Sequence, residues 1–216
     1  MLYSNNKKVA VIGFEQSAVT QDMFLQTSEE NSDTFIISPN QLFESDSNFL
    51  QSTSFINSVT LDKDLRVEIN DLLEKENADR CRFIHSSCLT EFDSTDANKI
   101  KQLIGQGTYI GSCCSISSSI CVGENCLIEM ACILPHHIKI GNNTILHGGT
   151  TIGGKCEIGN NCEFNMRSTV LASKKICDNV TIGAVSNVTK NITEPGFYVG
   201  YRARKTVPNN QTNQQL

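Results

Sequence analysis

From Ile104 to Thr193 the chain repeats every six residues and never loses phase. Every sixth position gives Ile104, Ile110, Ile116, Val122, Ile128, Leu134, Ile140, Leu146, Ile152, Ile158, Phe164, Val170, Ile176, Ile182 and Val188, and only Phe164 is not aliphatic. The next residue is glycine at 105, 111, 123, 141, 153, 159 and 183. Four positions after the aliphatic residue the side chain is usually small: Thr108, Cys114, Cys126, Cys132, Thr144, Thr150, Cys156, Cys162, Ser168 and Ser186. Helices repeat at 3.6 residues and strands at 2, so a strict period of six demands another geometry.

That geometry is a parallel β-helix, in which a short strand covers one flat face, a turn carries the chain round a corner, and three hexads complete a triangular coil. Stacked at the spacing of paired strands, the five coils from 104 to 193 stand roughly 24 Å tall. The aliphatic residue of each hexad points inward, and the small residue fits where the triangle narrows. A sandwich of short strands is the competing arrangement, but its loops vary in length and break phase within a few elements. Period alone does not set the handedness of the coil.

The net charge of −5 argues against a general nucleic-acid or anionic-membrane surface. No apolar run approaches the ~20 residues needed to cross a bilayer, and Met1 to Lys8 lacks the apolar segment of a signal peptide. The expectation is a soluble cytoplasmic protein. Five of the ten cysteines (114, 126, 132, 156 and 162) fall on the small inward position, which marks them as reduced fillers of the prism. No Cys-x-x-Cys pair occurs, and Cys113 and Cys114 should point to opposite sides of a strand, so no metal site is expected.

Ahead of the coils, Lys7 to Gly13 reads as a buried strand ending on a glycine, followed by a helix through Phe14, Ala18, Met23 and Leu25. Further strands are expected at Thr34 to Ser38 and Ser54 to Val59, and a loop from Pro39 to Asn48. Leu65, Ile69, Leu72 and Leu73 mark one face of a helix whose positive N-terminal end meets Asp62 and Asp64. Such alternation builds a small α/β unit on a parallel sheet.

The order strand, glycine turn, helix, strand, helix, then Phe83-Ile84-His85-Ser86-Ser87 leading into the coils, resembles one branch of the hexapeptide-repeat acyltransferases. It is the sialic-acid O-acetyltransferase-like branch, which includes the bacterial N-acetyltransferases of nucleotide-linked amino-sugars. The similarity runs from about Lys7 to Lys205 and is strongest in the coils. It implies a left-handed coil, a homotrimer with active sites between subunits, and acetyl-CoA as acyl donor. The expected architecture is mainly β: a small α/β (Rossmann-like) domain over 1–85, a left-handed parallel β-helix over 86–205, and a disordered Asn/Gln-rich tail over 206–216.

The resemblance also implies site residues. Leu134-Pro135-His136-His137-Ile138-Lys139-Ile140-Gly141 is similar to the family's active-site hexad, with His136 at the place of the general base. An imidazole with a pKa near 6.5 is largely unprotonated at neutral pH and can take a proton from an amine or hydroxyl attacking a thioester. As the third residue of its hexad, His136 should sit at a corner and face outward. Gly154, eighteen residues on, matches a glycine whose amide stabilises the oxyanion. Ala172 and Ala184 match positions beside the pantetheine arm. Arg202, Arg204 and Lys205, in an ending similar to the family's Gly-x-Pro-Ala-Arg, are candidates for the coenzyme phosphates, with Lys174 and Lys175 a further basic pair.

Three departures stand out. The residue after the base is His137 where relatives have Asp or Glu, so the charge that would support a protonated imidazole is missing from that position. A second family histidine is Ile145 here, and His147 is the nearby candidate to replace it in binding the acceptor. The Gly-x-Gly-Gly-His turn after the first strand is Gly13-Phe14-Glu15-Gln16-Ser17: Gly13 remains to approach a nucleotide's phosphates, but Glu15 would repel them. His85 reads as structural, at the entry to the coils. The expected activity is acetyl transfer to an amine or hydroxyl of a sugar or nucleotide-sugar in bacterial surface-glycan synthesis, and the rival is a weakened trimeric scaffold or binding module.

Overall fold

A computed structural model describes residues 1–3, 8–29, 31–59 and 62–206. Lys7 and most of the expected tail, 207–216, lie outside the described residues. Thr206 itself closes a strand, Arg204–Thr206.

The N-terminal unit is a four-stranded parallel sheet ordered Thr34–Ile37, Lys8–Ile12, Thr53–Asn57, Asp79–Arg80. Helix α1 (Ala18–Ser28) begins later than Phe14, because the Ser17 side chain accepts from Thr20 N and caps it there. The segment read as a loop holds two short helices, α2 (Pro39–Phe43) and α3 (Ser47–Ser52). Their start signals are present in the sequence: Ser38 and Gln41 form a capping box with Pro39 at the first turn, and Asp46 caps α3. Leu42 and Leu50 anchor the two helices in the core of this unit. Helix α4 (Lys63–Lys75), capped by Asp62, buries Ile69 and Leu73 as its periodicity requires.

The rest of the chain is a three-sided parallel prism. Face one carries Arg82–Ile84, Tyr109–Ile110, Leu127–Ile128, Ile145–Leu146, Glu163–Phe164 and Val180–Ile182. Face two carries Leu89–Thr90, Ser115–Ile116, Ile133–Leu134, Thr151–Ile152, Thr169–Val170 and Asn187–Val188. Face three runs from Ile104 through Ile120–Val122, Ile138–Ile140, Glu157–Ile158 and Lys175–Ile176 to Ile192. From Ile104 to Val188 partners lie eighteen residues apart, as Leu127 and Ile145 do, and the last rung is two residues shorter, with Ile176 paired to Ile192. The prism starts one rung earlier than the repeat: Phe83 pairs with Tyr109, and Leu89 with Ser115. That spacing of twenty-six exceeds eighteen by eight, because helix α5 (Ala97–Leu103) is inserted in the first coil. At the far end Gly196–Val199 and Arg204–Thr206 form an antiparallel hairpin.

The inward residue at every sixth position from Ile104 to Val188 is buried, and the small inward residues do more than fill space. Thr108 Oγ1 donates to Gly123 O at 2.8 Å, Cys126 Sγ to Gly141 O at 3.1 Å, Thr144 Oγ1 to Gly159 O at 3.1 Å and Cys156 Sγ to Leu171 O at 3.2 Å. Each ties a corner carbonyl fifteen residues on, which satisfies a backbone acceptor the strands leave over. Burial pushes the Cys126 and Cys162 thiols up to about 11, so they remain protonated donors. Cys113 is exposed and Cys114 buried. At the corner between faces three and one, Asn125, Asn143, Asn161 and Asn179 all adopt positive φ, a conformation asparagine tolerates better than most residues.

The two units are sealed together. Phe83, Tyr109, Leu127 and Ile145 on the outer side of face one join Val9, Val11, Met23 and Ile56 in one apolar cluster. Beside it Arg66 of α4 is fully buried, donating through Nη1 to Asn57 O and Val59 O and through Nη2 to Asn125 O. Burial lowers this guanidinium to about 10. Asn70 Nδ2 donates to Asn143 Oδ1, and Lys63 to the carbonyl of Asn161, so α4 grips three successive corners of the prism.

Candidate active site

His136 and His137 project from the corner between faces two and three, and both are exposed. A Cβ on Gly154 would stand 2.9 Å from His136 Cε1 and 3.0 Å from Nε2, so the ring rests where any other residue would carry its side chain. Lys155 N donates to His136 O at 3.0 Å, which ties the backbone of His136 to the rung above. The two histidine rings meet edge to face, with Nδ1 atoms 3.2 Å apart. One of that pair must carry the proton, so each imidazole can fix the other's tautomer. His137 has φ +59°, the corner conformation, and this turns its ring back toward His136. Ala172 is exposed on the same corner, one rung beyond Gly154.

His147 lies elsewhere, on the corner between faces one and two. Its Nδ1 is 3.1 Å from Glu129 Oε1 and its Nε2 3.0 Å from Glu163 Oε1, while Gly148 N donates to Glu129 Oε2 at 2.9 Å. The side chain is 13% exposed. Burial alone would lower its pKa, but the hydrogen bonds and charges of the two glutamates outweigh it and lift the value to about 9. His147 is thus a fixed imidazolium with both nitrogens engaged at neutral pH. Ile145, at the place of the family's second histidine, is buried between the two units. Ala184 is exposed on the His147 corner, so Ala172 and Ala184 stand at the two corners that bound face two.

Arg204 and Lys205 are exposed on the terminal hairpin, with Lys205 Nζ 3.1 Å from Glu194 Oε2, and Arg202 is exposed in the turn before them. Lys175 pairs with Glu157 at 2.8 Å on face three, and Lys174 precedes it. Gly13 is buried, and the space beside its Cα is occupied by Thr20 Oγ1 and Ser58 Oγ, which bond each other at 2.8 Å. His85 Nδ1 bonds Ser87 Oγ at 2.7 Å within the first corner, the structural place expected for it. Among the described residues no group of three or more His, Cys, Asp or Glu side chains is arranged to hold a metal ion.

Sequence reasoning missed Glu129 and Glu163, although eighteen-residue arithmetic puts 129 directly beneath 147. It also missed Glu91, whose carboxylate accepts from Ser117 Oγ at 2.7 Å on the His136 corner. The α5 insertion hid that register.

The family model described as bacterial transferase hexapeptide (six repeats) matches residues 122–154 and 137–172. No curated protein matches the sequence. The acetyltransferase domain of PglB from Neisseria gonorrhoeae FA1090 superposes with a TM-score of 0.78 at 14% identity, over 93% of this chain and 100% of that one. PerB from Caulobacter crescentus, solved with CoA and GDP-perosamine, gives 0.75 at 14% identity over 95% and 100%. WeeI from Acinetobacter baumannii AYE gives 0.60 at 14% over 91% and 98%. The class is therefore a left-handed parallel β-helix built from hexapeptide repeats. Within it, the whole architecture, α/β unit included, is the fold of the PglB acetyltransferase domain, PerB and WeeI.

Proposed function

We propose that this chain is an acetyl-CoA-dependent acetyltransferase acting on an amine or hydroxyl of a sugar, with His136 as general base. The observation that carries this reading is the His136 ring laid against Gly154 at an exposed prism corner. His136 takes a proton from the acceptor as it attacks the thioester carbonyl, the Gly154 amide stabilises the oxyanion, and collapse of the tetrahedral intermediate expels the coenzyme thiolate, which is then protonated. The matched structures that carry acetyl coenzyme A or CoA with GDP-perosamine support this donor and a nucleotide-linked sugar acceptor, and the setting proposed for it is bacterial surface-glycan synthesis.

The site belongs to a homotrimer in the cytoplasm. In a threefold arrangement with face two toward the axis, the corner bearing Gly154 and Ala172 meets the neighbouring copy's corner bearing His147 and Ala184. Ile133, Leu171, Met130, Met166 and Val185 support this, being exposed apolar side chains on face two and those same two corners. The pantetheine arm runs between the small residues, and Arg204, Lys205 and Arg202 meet the phosphates. His147 and Gly13 are assigned to the acceptor side.

A scaffold without turnover is the second reading. It is favoured by the filled space beside Gly13, by Glu15 in the glycine turn and by the absence of an acid at 137. Calorimetry with acetyl-CoA separates the two: micromolar binding supports the enzyme, and no heat at millimolar ligand favours the scaffold.

A further inference from the structure

Resting on the reading of His136 as a base, we propose that Glu91 is a positioning residue that supplies the negative charge missing at position 137, while His137 holds the orientation of the ring. The register puts Glu91 on the right corner. Thr90 pairs with Ile116 and Ile116 with Leu134, so the residues that follow, Glu91, Ser117 and Pro135-His136, stack at one edge of the prism. Glu91 reaches one rung up: Oε2 accepts from Ser117 Oγ at 2.7 Å and from Ser118 N at 3.4 Å. Its carboxylate is therefore fixed at the level just beneath the His136 rung.

The electrostatics agree. Hydrogen bonds from Ser117 and Ser118 hold the Glu91 carboxyl below the usual carboxylate range, and the field of His136 acts in the same direction. Interaction between two charges is mutual, so an ionised Glu91 favours the imidazolium that forms when His136 takes a proton. Two other charged or titratable groups matter at this corner. His137 is the neighbour at 3.2 Å, Lys155 stands on the rung above, and neither is an anion. The field of His136 is among the causes that hold the Glu91 carboxyl down, so Glu91 is an anion coupled to that ring.

The division of labour is specific. In an adjacent carboxylate, orientation and charge would come from one group. Here the hydrogen bond comes from an imidazole next in sequence and the charge from a residue forty-five positions earlier, brought level by the coil.

The test is nitrogen-detected NMR titration of the histidines in the full chain, with Glu91→Gln and, as a second variant, Ser117→Ala, which frees the carboxylate. The midpoint of His136 is expected to move to lower pH in Glu91→Gln and by a smaller step in Ser117→Ala, with the His147 signals unmoved. An unchanged His136 midpoint in Glu91→Gln overturns the assignment, as does an equal movement of all histidines, which reports a global effect. Turnover is the separate readout. If acetyl-CoA is consumed, Glu91→Gln should lower kcat several-fold at unchanged KM for acetyl-CoA. A wild-type protein with no turnover refutes the acetyltransferase reading, and the titration still decides the role of Glu91.

Discussion

The imidazole of His136 occupies the volume that a side chain on residue 154 would need, with ring atoms 2.9 and 3.0 Å from the position of a Cβ. Glycine at 154 is therefore a requirement of the His136 ring position as well as a candidate oxyanion donor. Gly154→Ala should push the ring off the corner and lower acetyl transfer by about 10- to 100-fold, since misplacement of a reacting group by about 1 Å costs on that order. The melting temperature should stay close to that of the unsubstituted protein, because the ring swings into solvent. Steady-state rates beside a thermal melt check both halves.

His147 makes the stability depend on pH with a defined sign. Its pKa is raised from 6.5 to about 9, so the folded state holds a proton that the unfolded chain releases between those values. The stabilisation is fully present below pH 6.5 and is lost as pH rises through 9. His147→Gln should cost about 1–3 kcal/mol at pH 6 and much less at pH 10. Denaturant midpoints at the two pH values measure the difference, and an equal cost at both contradicts the ion-pair account of this corner.

Arg66 is the joint between the units. Replacing it with Met keeps volume but strands the carbonyls of Asn57, Val59 and Asn125. The expected loss is about 3–5 kcal/mol, the range for breaking a buried charged network. Surface lysine substitutions such as Lys101→Met should stay within about 0.5 kcal/mol. Chemical denaturation of both variants provides the comparison.

The thiols should divide by position. Cys113 and Cys121 are exposed, Cys88 and Cys177 half-buried, and the remaining six, five of them on the inner small positions, are buried. A disulfide exchange reagent should label two cysteines quickly, two slowly and the rest only on unfolding, because buried thiols with raised pKa form little thiolate. Rapid labelling of Cys126 or Cys162 would mean the prism is open where the structure has it closed.

The prism was legible in the sequence because an inward aliphatic residue at a fixed step leaves one geometry. Leu134 fixed the phase from which the outward corner place of His136 followed. The resemblance placed the entry to the coils at Phe83 to Ser87, but the register of the rung at Arg82–Thr90 was not legible, since the eight extra residues carrying α5 break the step before Ile104. The same break hid Glu91 from any count of eighteen. Helices α2 and α3 were missed for a different reason: Asn and Ser content was weighed above the caps at Ser38 and Asp46. His147 was placed near the active hexad by distance along the chain, whereas the triangle sends residues eleven apart to different corners. The docking of α4 rests on single side chains meeting corner carbonyls, and no periodic signal announces such contacts.

The central claim is that the imidazole of His136 accepts the proton during acetyl transfer. The most direct measurement is the rate of acetyl-CoA consumption, with an amino-sugar acceptor, by His136→Ala beside the unsubstituted protein at equal oligomeric state. A loss of at least about 100-fold with unchanged melting is the expected result. Full turnover by the variant, in an assembly of the same size, would contradict it.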